Sequence, residues 1–240
     1  MKISKNASII ILTGAGVSKE SGLDTFRGKG GLWRGVRAEK VATPQAFEQD
    51  PNLVHSFYNA RKGKLLDDAI KPNAAHVALA SLEKHWQGSF LLVTQNVDNL
   101  HERAGSNNLI HMHGEILKAN CVNCHSVSMW KDDMTVKSIC PNCHQAGKLR
   151  VDVVWFGEVP MRMDEIHTAL EQCDLFISIG TSGNVYPAAG FVDVVSQNQN
   201  AKTVELNLEP SQNAAQFSAG HYGKATVVVP EFINQLLEGR

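Results

Sequence analysis

No apolar run in this chain approaches the roughly 20 residues that a membrane-spanning helix requires. The longest run near the start, Ile9 to Leu12, also falls short of the about 7–15 residues of a signal-peptide core. The chain therefore reads as cytoplasmic, with no membrane partner. Neither sign of charge predominates: 23 Lys plus Arg stand against 24 Asp plus Glu, a formal net charge of −1. That balance offers no broad basic face for phosphates, so direct nucleic-acid binding is not expected. Internal repeats and low-complexity tracts are missing too. With 43% hydrophobic and 20% charged residues, the composition excludes disorder, collagen and coiled coil. Cysteine is scarce and odd in number: four of the five sit in two tight pairs. In a reducing compartment that pattern points to metal or redox chemistry rather than to disulfides. What remains is room, in 240 residues, for one large domain or one domain carrying a small inserted module.

Four short apolar runs organise the chain. Ala7 to Thr13 leads into Gly14-Ala15-Gly16-Val17-Ser18, and Ser89 to Thr94 into Gln95-Asn96-Val97-Asp98. Asp174 to Ile179 leads into Gly180-Thr181-Ser182-Gly183, and Thr203 to Leu208 into Glu209-Pro210. Continuous apolar runs of this length suggest strands buried on both faces, as in a parallel sheet. Helical patterns lie between them, at Ala74 to Trp86, Met163 to Cys173 and Ala188 to Gln197. The alternation predicts an α/β, Rossmann-like doubly wound fold. Ligands of open parallel sheets bind at the carboxyl ends of strands, so the four polar clusters should converge on one crevice.

Two stretches break this rhythm. Residues 35–71 look helical, with Thr43-Pro44 as a helix start. Residues 119–150 are polar and hold four of the five cysteines. Both read as excursions forming a smaller lobe: a helical insertion over 35–71 and a zinc-binding module over 119–150. The Rossmann-like domain is left with 1–34, 72–118 and 151–240.

Gly14-Ala15-Gly16 after a strand is the usual entry to a dinucleotide site, because glycine lets backbone N–H groups approach a pyrophosphate at a helix N-terminus. The full fingerprint is not met, since Lys19 occupies the third glycine position. No second strand ends in an acid about 20 residues on. A plain turn stays open on this motif alone. The glycine-rich loop from Glu20 to Trp33 strengthens the ligand reading, since such loops at strand ends are more often flaps than linkers.

Cys121-Val122-Asn123-Cys124 and Cys140-Pro141-Asn142-Cys143 are two C-x-x-C knuckles separated by 15 residues, the spacing of a four-Cys zinc site. Cys121, Cys124, Cys140 and Cys143 would fill a tetrahedron, so the single zinc would be structural. In His111-Met112-His113-Gly114, two histidines at i and i+2 of an extended segment face opposite ways, and at most one faces the crevice. Residue chemistry alone does not choose between them.

Taken together and in order, Gly14 to Ser18, Thr25-Phe26-Arg27, Gln95 to Asp98, His111 to Gly114, the two Cys pairs, Trp155-Phe156-Gly157-Glu158 and Gly180-Thr181-Ser182 closely resemble the sirtuins. These are NAD-dependent protein-lysine deacylases, and the likeness is to the compact bacterial type, over about residues 7–235. The resemblance implies NAD as a consumed co-substrate and one structural zinc. By it, Ala15, Asp24, Phe26 and Arg27 would line the pyrophosphate and nicotinamide-ribose region, and Gly14, Gly16, Ser18 and Trp33 would also bind the cofactor. Gln95, Asn96 and Asp98 would hold nicotinamide and its ribose, and Gly180, Thr181 and Ser182 the adenosine side. Asn207 and Glu209 would contact the adenine ribose, and Ala225, in the family's last loop, the adenine.

The resemblance also chooses His113 as general base, with Asn96 as its catalytic companion. In the sirtuin mechanism that the resemblance implies, the acyl oxygen would attack C1′ as nicotinamide leaves, and His113 would then take a proton from the ribose diol so that the 2′-hydroxyl attacks the imidate carbon. Val153 to Glu158 would be the strand pairing with the substrate peptide, through Val154, Trp155, Phe156, Gly157 and Glu158. Nicotinamide, O-acyl-ADP-ribose and free lysine would be the products. Mono-ADP-ribosyl transfer or lipoamide hydrolysis at the same site is the alternative activity, and a non-catalytic NAD-sensing module the alternative class.

The acyl group is addressed by Phe57-Tyr58-Asn59-Ala60-Arg61. In a helix from Asn52 to about Leu66, Val54, Phe57, Arg61 and Leu65 share a stripe with Tyr58 beside it. An arginine on an apolar stripe is costly unless an anion meets it; a snorkelling or protein-paired arginine stays open. Tyr58 and Arg61 resemble the Y-x-x-R pair with which class III sirtuins bind the carboxylate of succinyl- or malonyl-lysine. The implied activity is removal of succinyl and malonyl groups with deacetylation retained, acting on acylated protein lysines. A monomer is the favoured state.

Overall fold

The computed structural model describes residues 3–24, 32–33 and 36–239. Phe26 and Arg27 therefore lie outside the described residues, and of Trp33 only the backbone is described. In chain order the elements are β1 (Ile9–Thr13), the hairpin strands β2 (Leu32–Trp33) and β3 (Val36–Arg37), and the helices α1 (Pro44–Gln49), α2 (Pro51–Leu65) and α3 (Ala74–His85). There follow β4 (Phe90–Thr94), α4 (Leu100–Ala104), β5 (Leu109–His111), β6 (Gly114–Cys121), β7 (Val127–Met129) and β8 (Leu149–Val153). The chain ends with α5 (Met163–Gln172), β9 (Leu175–Ile179), α6 (Phe191–Ser196), β10 (Lys202–Asn207), β11 (Ala219–Tyr222) and α7 (Ala225–Glu238). No helix among the described residues is long and apolar enough to cross a membrane.

The chain divides into two units. The first comprises Met1–Thr25, Lys71–Met112 and Arg162–Arg240. Its six strands run parallel in the order β11-β10-β9-β1-β4-β5. Numbered within the sheet alone, that is the doubly wound order 3-2-1-4-5-6. β1 is central and buried along its whole length, which is why its sequence is a continuous apolar run and not an alternating one. Its side chains divide by parity. Ile9 and Ile11 join Leu79 and Leu82 of α3 and Phe232, Ile233 and Leu236 of α7 on one face. Ile10 and Leu12 join Ile166 and Leu170 of α5 and Phe191 and Val195 of α6 on the other. Each such fully buried side chain contributes about 1.5–3 kcal/mol.

Two readings of the sequence are corrected here. The helical pattern at 188–197 is split into a single 3₁₀ turn, Ala188–Gly190, and the short α6. Ala225 stands in the first turn of α7 and not in a loop.

The second unit comprises Phe26–Ile70 and His113–Met161. The helix starts are set by capping. Thr43 accepts from Ala46 N–H at 3.1 Å and is followed by Pro44, and Asp50 accepts from Leu53 N–H at 2.9 Å and is followed by Pro51. A three-stranded antiparallel sheet, β7-β6-β8, forms the rest. Residues 113–118 and 151–161, grouped with the parallel sheet on sequence grounds, stand with this unit, because β6 and β8 pair along their length. At Gly114, with φ +78°, a Cβ would lie 2.1 Å from the Asp152 carbonyl oxygen, so only glycine lets the two strands meet there.

Candidate active site

In the first unit the switch of strand order falls between β1 and β9, the neighbours whose ends both carry glycine turns. Gly14 N–H donates to Ile179 O and Gly16 N–H to Gly180 O, each at 2.9 Å. A Cβ on Gly16 would come within 2.7 Å of Gly180 Cα, so the two turns pack backbone on backbone. The missing side chains leave peptide N–H groups, and not apolar bulk, at the strand ends, a surface suited to a dinucleotide pyrophosphate. Ala15 is half-buried beside them, and Asp24 is exposed.

Beneath the β4 end lies a buried polar network. Asn96 is 7% exposed and Asp98 8%. The Asn96 amide donates to Gly14 O and to Ser18 Oγ, each at 3.2 Å. Ser18 Oγ–H donates to Asp98 Oδ2 at 3.0 Å, and Leu100 N–H to Asp98 Oδ1 at 3.1 Å. Burial raises the Asp98 carboxyl above its usual value, against the pull of these two donors. Gln95 continues the strand direction, its N–H on Thr13 O.

Two histidines missed in the sequence complete this network. His76 Nδ1 faces the N–H of Asn73 at 3.3 Å. A backbone N–H can only donate, so Nδ1 is the acceptor and the neutral ring carries its proton on Nε2, 3.4 Å from Ser18 Oγ. Burial holds the His76 pKa down at about 4. His101 sits 4.9 Å from it, ring to ring, with Nε2 3.0 Å from Thr13 Oγ1. Thr13 in turn donates to Thr94 Oγ1, which also accepts Asn96 N–H. His101 is likewise kept neutral by burial. Both lie on helix faces turned to the sheet, where a histidine reads as an ordinary core position; only their placement under Ser18 and Thr13 marks them.

His111 uses both ring nitrogens within the first unit, one 3.0 Å from Asn96 O and the other 2.7 Å from Glu102 Oε1. Asn207, at the β10 end, is buried, its amide donating to Thr181 O at 2.6 Å and its Oδ1 accepting Leu208 N–H. Thr181 Oγ1 meets Ser178 Oγ at 3.2 Å, and Ser182 O accepts Gln212 N–H. Glu209 is exposed and Ala225 half-buried.

In the second unit His113 is half-buried, and its carbonyl accepts Val154 N–H at 2.9 Å. The expected strand over Val153–Glu158 ends at Val153. Residues beyond it turn, because Glu158 caps Trp155 N–H at 2.7 Å and is gripped by Arg150 at 2.6 and 3.0 Å. Burial alone would raise the Glu158 carboxyl, but the Arg150 guanidinium and the Trp155 N–H hold it low. The Arg150 guanidinium also lies 3.4 Å over the Trp155 ring. Phe156 and Gly157 are exposed at the tip of this turn.

Trp155, 2% exposed, donates from Nε1 to the hydroxyl of Tyr58, 3% exposed, at 3.0 Å. Burial pushes the Tyr58 phenol up to about 12, so it stays a neutral hydroxyl. Arg61, three residues on, is half-buried with its guanidinium 3.3 Å from the Phe57 ring centroid and Nη1 on Phe57 O. α2 thus carries a phenol and, three residues on, a guanidinium whose charge reaches that phenol.

The four cysteine sulfurs lie within 4.8 Å of one another, with Cys121–Cys143 and Cys124–Cys140 each 3.7 Å apart. Thiolates bound to one zinc at about 2.3 Å stand about 3.8 Å apart at the corners of a tetrahedron. The donor set and spacing therefore fit a closed structural zinc, with no ligand position left for chemistry.

Comparison with known proteins identifies the family. The Sir2 family model matches residues 14–187. A protein named NAD-dependent protein deacylase from Vibrio cholerae serotype O1 is 53% identical over 229 residues, covering 95% of this chain and 93% of that protein. One of the same name from Escherichia coli (strain K12) is 55% identical over 231 residues, covering 96% and 82%. Among solved structures, a Sir2 homolog–NAD complex superimposes with a TM-score of 0.87 at 37% identity, covering 98% of this chain and 91% of that one. A Sir2–p53 peptide–NAD+ structure gives a TM-score of 0.78 at 29% identity, over 96% and 92%. By sequence along nearly its whole length and by fold, the chain belongs to the Sir2 family.

Proposed function

We propose that this chain removes acetyl, succinyl and malonyl groups from protein lysines, consuming NAD and releasing nicotinamide, O-acyl-ADP-ribose and free lysine. It is an NAD-dependent protein deacylase, with NAD as co-substrate and one zinc held by Cys121, Cys124, Cys140 and Cys143. Family membership supports the deacylase chemistry. The Tyr58–Arg61 pair on α2 carries the acyl assignment. The Tyr58 oxygen already accepts the Trp155 proton, which leaves the phenolic proton for an incoming acceptor. A guanidinium beside it supplies charge and a planar pair of donors, the match for a carboxylate. An acetyl group needs neither.

On this reading Gln95, Asn96 and Asp98 hold nicotinamide and its ribose, with Asn96 and Asp98 turning the carboxamide against the sugar so that departure is favoured. Gly14, Ala15, Gly16, Ser18, Asp24, Phe26, Arg27 and Trp33 border the pyrophosphate and adjoining ribose, and Gly180, Thr181, Ser182, Asn207, Glu209 and Ala225 the adenosine. The acyl amide oxygen bonds to C1′ as the C1′–nitrogen bond breaks, its electron pair leaving with nicotinamide. His113 takes a proton from the ribose diol, and the 2′-oxygen closes on the acyl carbon. A water completes release of lysine. The amide oxygen is a weak nucleophile, so positioning and desolvation carry much of the rate. Val154, Trp155, Phe156, Gly157 and Glu158 border the peptide backbone.

Mass spectrometry of one peptide bearing acetyl- or succinyl-lysine, with NAD, tests this on wild type, His113→Tyr and Arg61→Met. Expected are loss of both groups with wild type, none with His113→Tyr, and selective loss of desuccinylation with Arg61→Met. Equal loss of both activities in Arg61→Met would leave a plain deacetylase. ADP-ribosylated peptide without acyl loss would make the chain a transferase.

A further inference from the structure

The helix that carries Tyr58 and Arg61 is bound to the zinc module by the two residues interleaved with that pair. Asn59 Nδ2 donates to Met134 O at 2.8 Å, and Asn59 Oδ1 accepts Met134 N–H at 2.9 Å. One side chain thus closes both backbone groups of a single residue, a two-point attachment that fixes orientation as well as distance. Lys62, 2% exposed, donates from Nζ to Asp132 O. The far end of this attachment is the cysteine site itself. Met134, 3% exposed, belongs to the small buried cluster of Ala119, Cys121, Cys140 and Leu149, against which Cys124 and Cys143 also pack.

Residues 132–134 have no regular secondary structure of their own. Their position rests on Met134 packing against the cysteine core and on the bonds to α2. The same residues that hold the segment therefore also hold α2 against the core that the metal organises.

We infer that Asn59 and Lys62 are positioning residues for acyl selection, linking the seat of the Tyr58–Arg61 pair to the zinc module so that zinc loading sets preference for a carboxylated acyl chain. The inference rests on the reading of Tyr58 and Arg61 given above. A carboxylate bound by a planar pair of donors is sensitive to small displacements of the helix, whereas an acetyl group that meets neither donor is not. Loss of the Asn59 bonds should therefore raise KM for a succinylated peptide and leave deacetylation largely intact.

The test measures kcat and KM on matched acetyl and succinyl peptides for wild type, Asn59→Ala, Lys62→Met and Arg61→Met, all zinc-loaded. Hydrogen exchange of the segment 51–65 is followed in each, and in zinc-poor Cys143→Ser. The succinyl-to-acetyl ratio of kcat/KM should fall several-fold in Asn59→Ala, through KM, because the helix loses the two-point attachment that fixes its position. Lys62→Met should move it in the same direction, and it keeps the apolar stem should Asn59→Ala fold poorly. Exchange over 51–65 should quicken in Asn59→Ala and in Cys143→Ser alike. An unchanged ratio in both Asn59→Ala and Lys62→Met, where Arg61→Met does shift it, overturns the link. Equal loss of both activities with falling stability makes Asn59 purely structural and also overturns it. A ratio untouched by Arg61→Met overturns the acyl reading beneath it. Protection of 51–65 that ignores zinc refutes the metal's part by a readout independent of turnover.

Discussion

Replacing Tyr58 by Phe removes one oxygen and should produce two separable effects. The first concerns folding. Trp155 Nε1 donates to that oxygen at 3.0 Å, and the two side chains are 2% and 3% exposed, so water cannot replace the lost acceptor. A buried donor left unsatisfied costs about 1–3 kcal/mol. In a chain of this size each kcal/mol lowers Tm by about 2–4 °C, which puts the expected drop at about 2–12 °C. The second effect concerns selectivity. If the phenolic proton meets a succinyl carboxylate, that charge-assisted bond contributes about 1.5–3 kcal/mol, or about 10–150-fold in kcat/KM. An acetyl peptide should lose less than threefold. Thermal unfolding, together with kinetics on matched peptides, measures both. Trp155→Phe is the informative partner, because the double variant should be less unstable than the sum of the single changes. An unaltered Tm would refute the buried Trp155–Tyr58 bond. A lowered Tm with an unaltered succinyl-to-acetyl ratio would confine the hydroxyl to folding and refute its place in acyl recognition.

On the proposed acyl reading, Arg61→Met should lower kcat/KM for succinyl-lysine by about two orders of magnitude, as expected for a charge-assisted two-point contact, with deacetylation within about threefold on the same peptide. His113→Tyr should abolish NAD-dependent loss of either acyl group, as read by nicotinamide release. Cys121→Ser should lower zinc content and thermal stability together; full stability in a metal-free variant would sink the structural role. Acid should destabilise the first unit through His76. Its folded pKa of about 4 lies below the ordinary 6.5, so the unfolded chain binds the extra proton between these values and stability falls as pH drops through that window, by up to about 3 kcal/mol. His76→Gln should flatten this part of the pH–stability curve, and an unchanged slope in denaturant titrations would refute the assignment.

β1, β4, β9 and β10 were legible in the sequence because strands covered on both faces must be apolar throughout, and their polar continuations mark the ligand edge. α2 was legible, from Asn52 to about Leu66, in its spaced apolar residues Val54, Phe57 and Leu65; its Asp50 cap was not. β5 and β11 were not: β5 is three residues long, and all four residues of β11 are exposed, so neither carries an apolar run. α7 was obscured by Val227-Val228-Val229-Pro230, a β-branched triplet before a proline. It is nonetheless helical because Val229, Phe232, Ile233 and Leu236 bury one stripe against the sheet, and packing overrides propensity. In the site, helical spacing put Tyr58 and Arg61 on adjoining positions of one helix, and the resemblance paired them. The Trp155 contact could not, since it joins residues 97 positions apart. The Glu158 cap that ends β8 after Val153 was hidden for a similar reason, because it depends on Arg150 reaching across the turn.

The small size of the buried core in 119–150 decides what the metal is for. Only Ala119, Cys121, Met134, Cys140 and Leu149 are fully enclosed there, and two of these five are themselves ligand cysteines. Val122, Val127, Met129 and Ile139 stand exposed on the same segment. Three non-cysteine side chains are too few to order the whole segment by apolar packing, whereas a structural four-thiolate zinc contributes folding free energy directly, and the pairing of β6 with β7 and β8 supplies further bonds. Zinc is therefore part of this module's folding free energy. With all four positions taken by sulfur it has no vacant site from which to act on a substrate. Its influence on the reaction must pass through the protein, and Met134 with its two bonds to Asn59 is the route by which metal-dependent order reaches the helix bearing Tyr58 and Arg61.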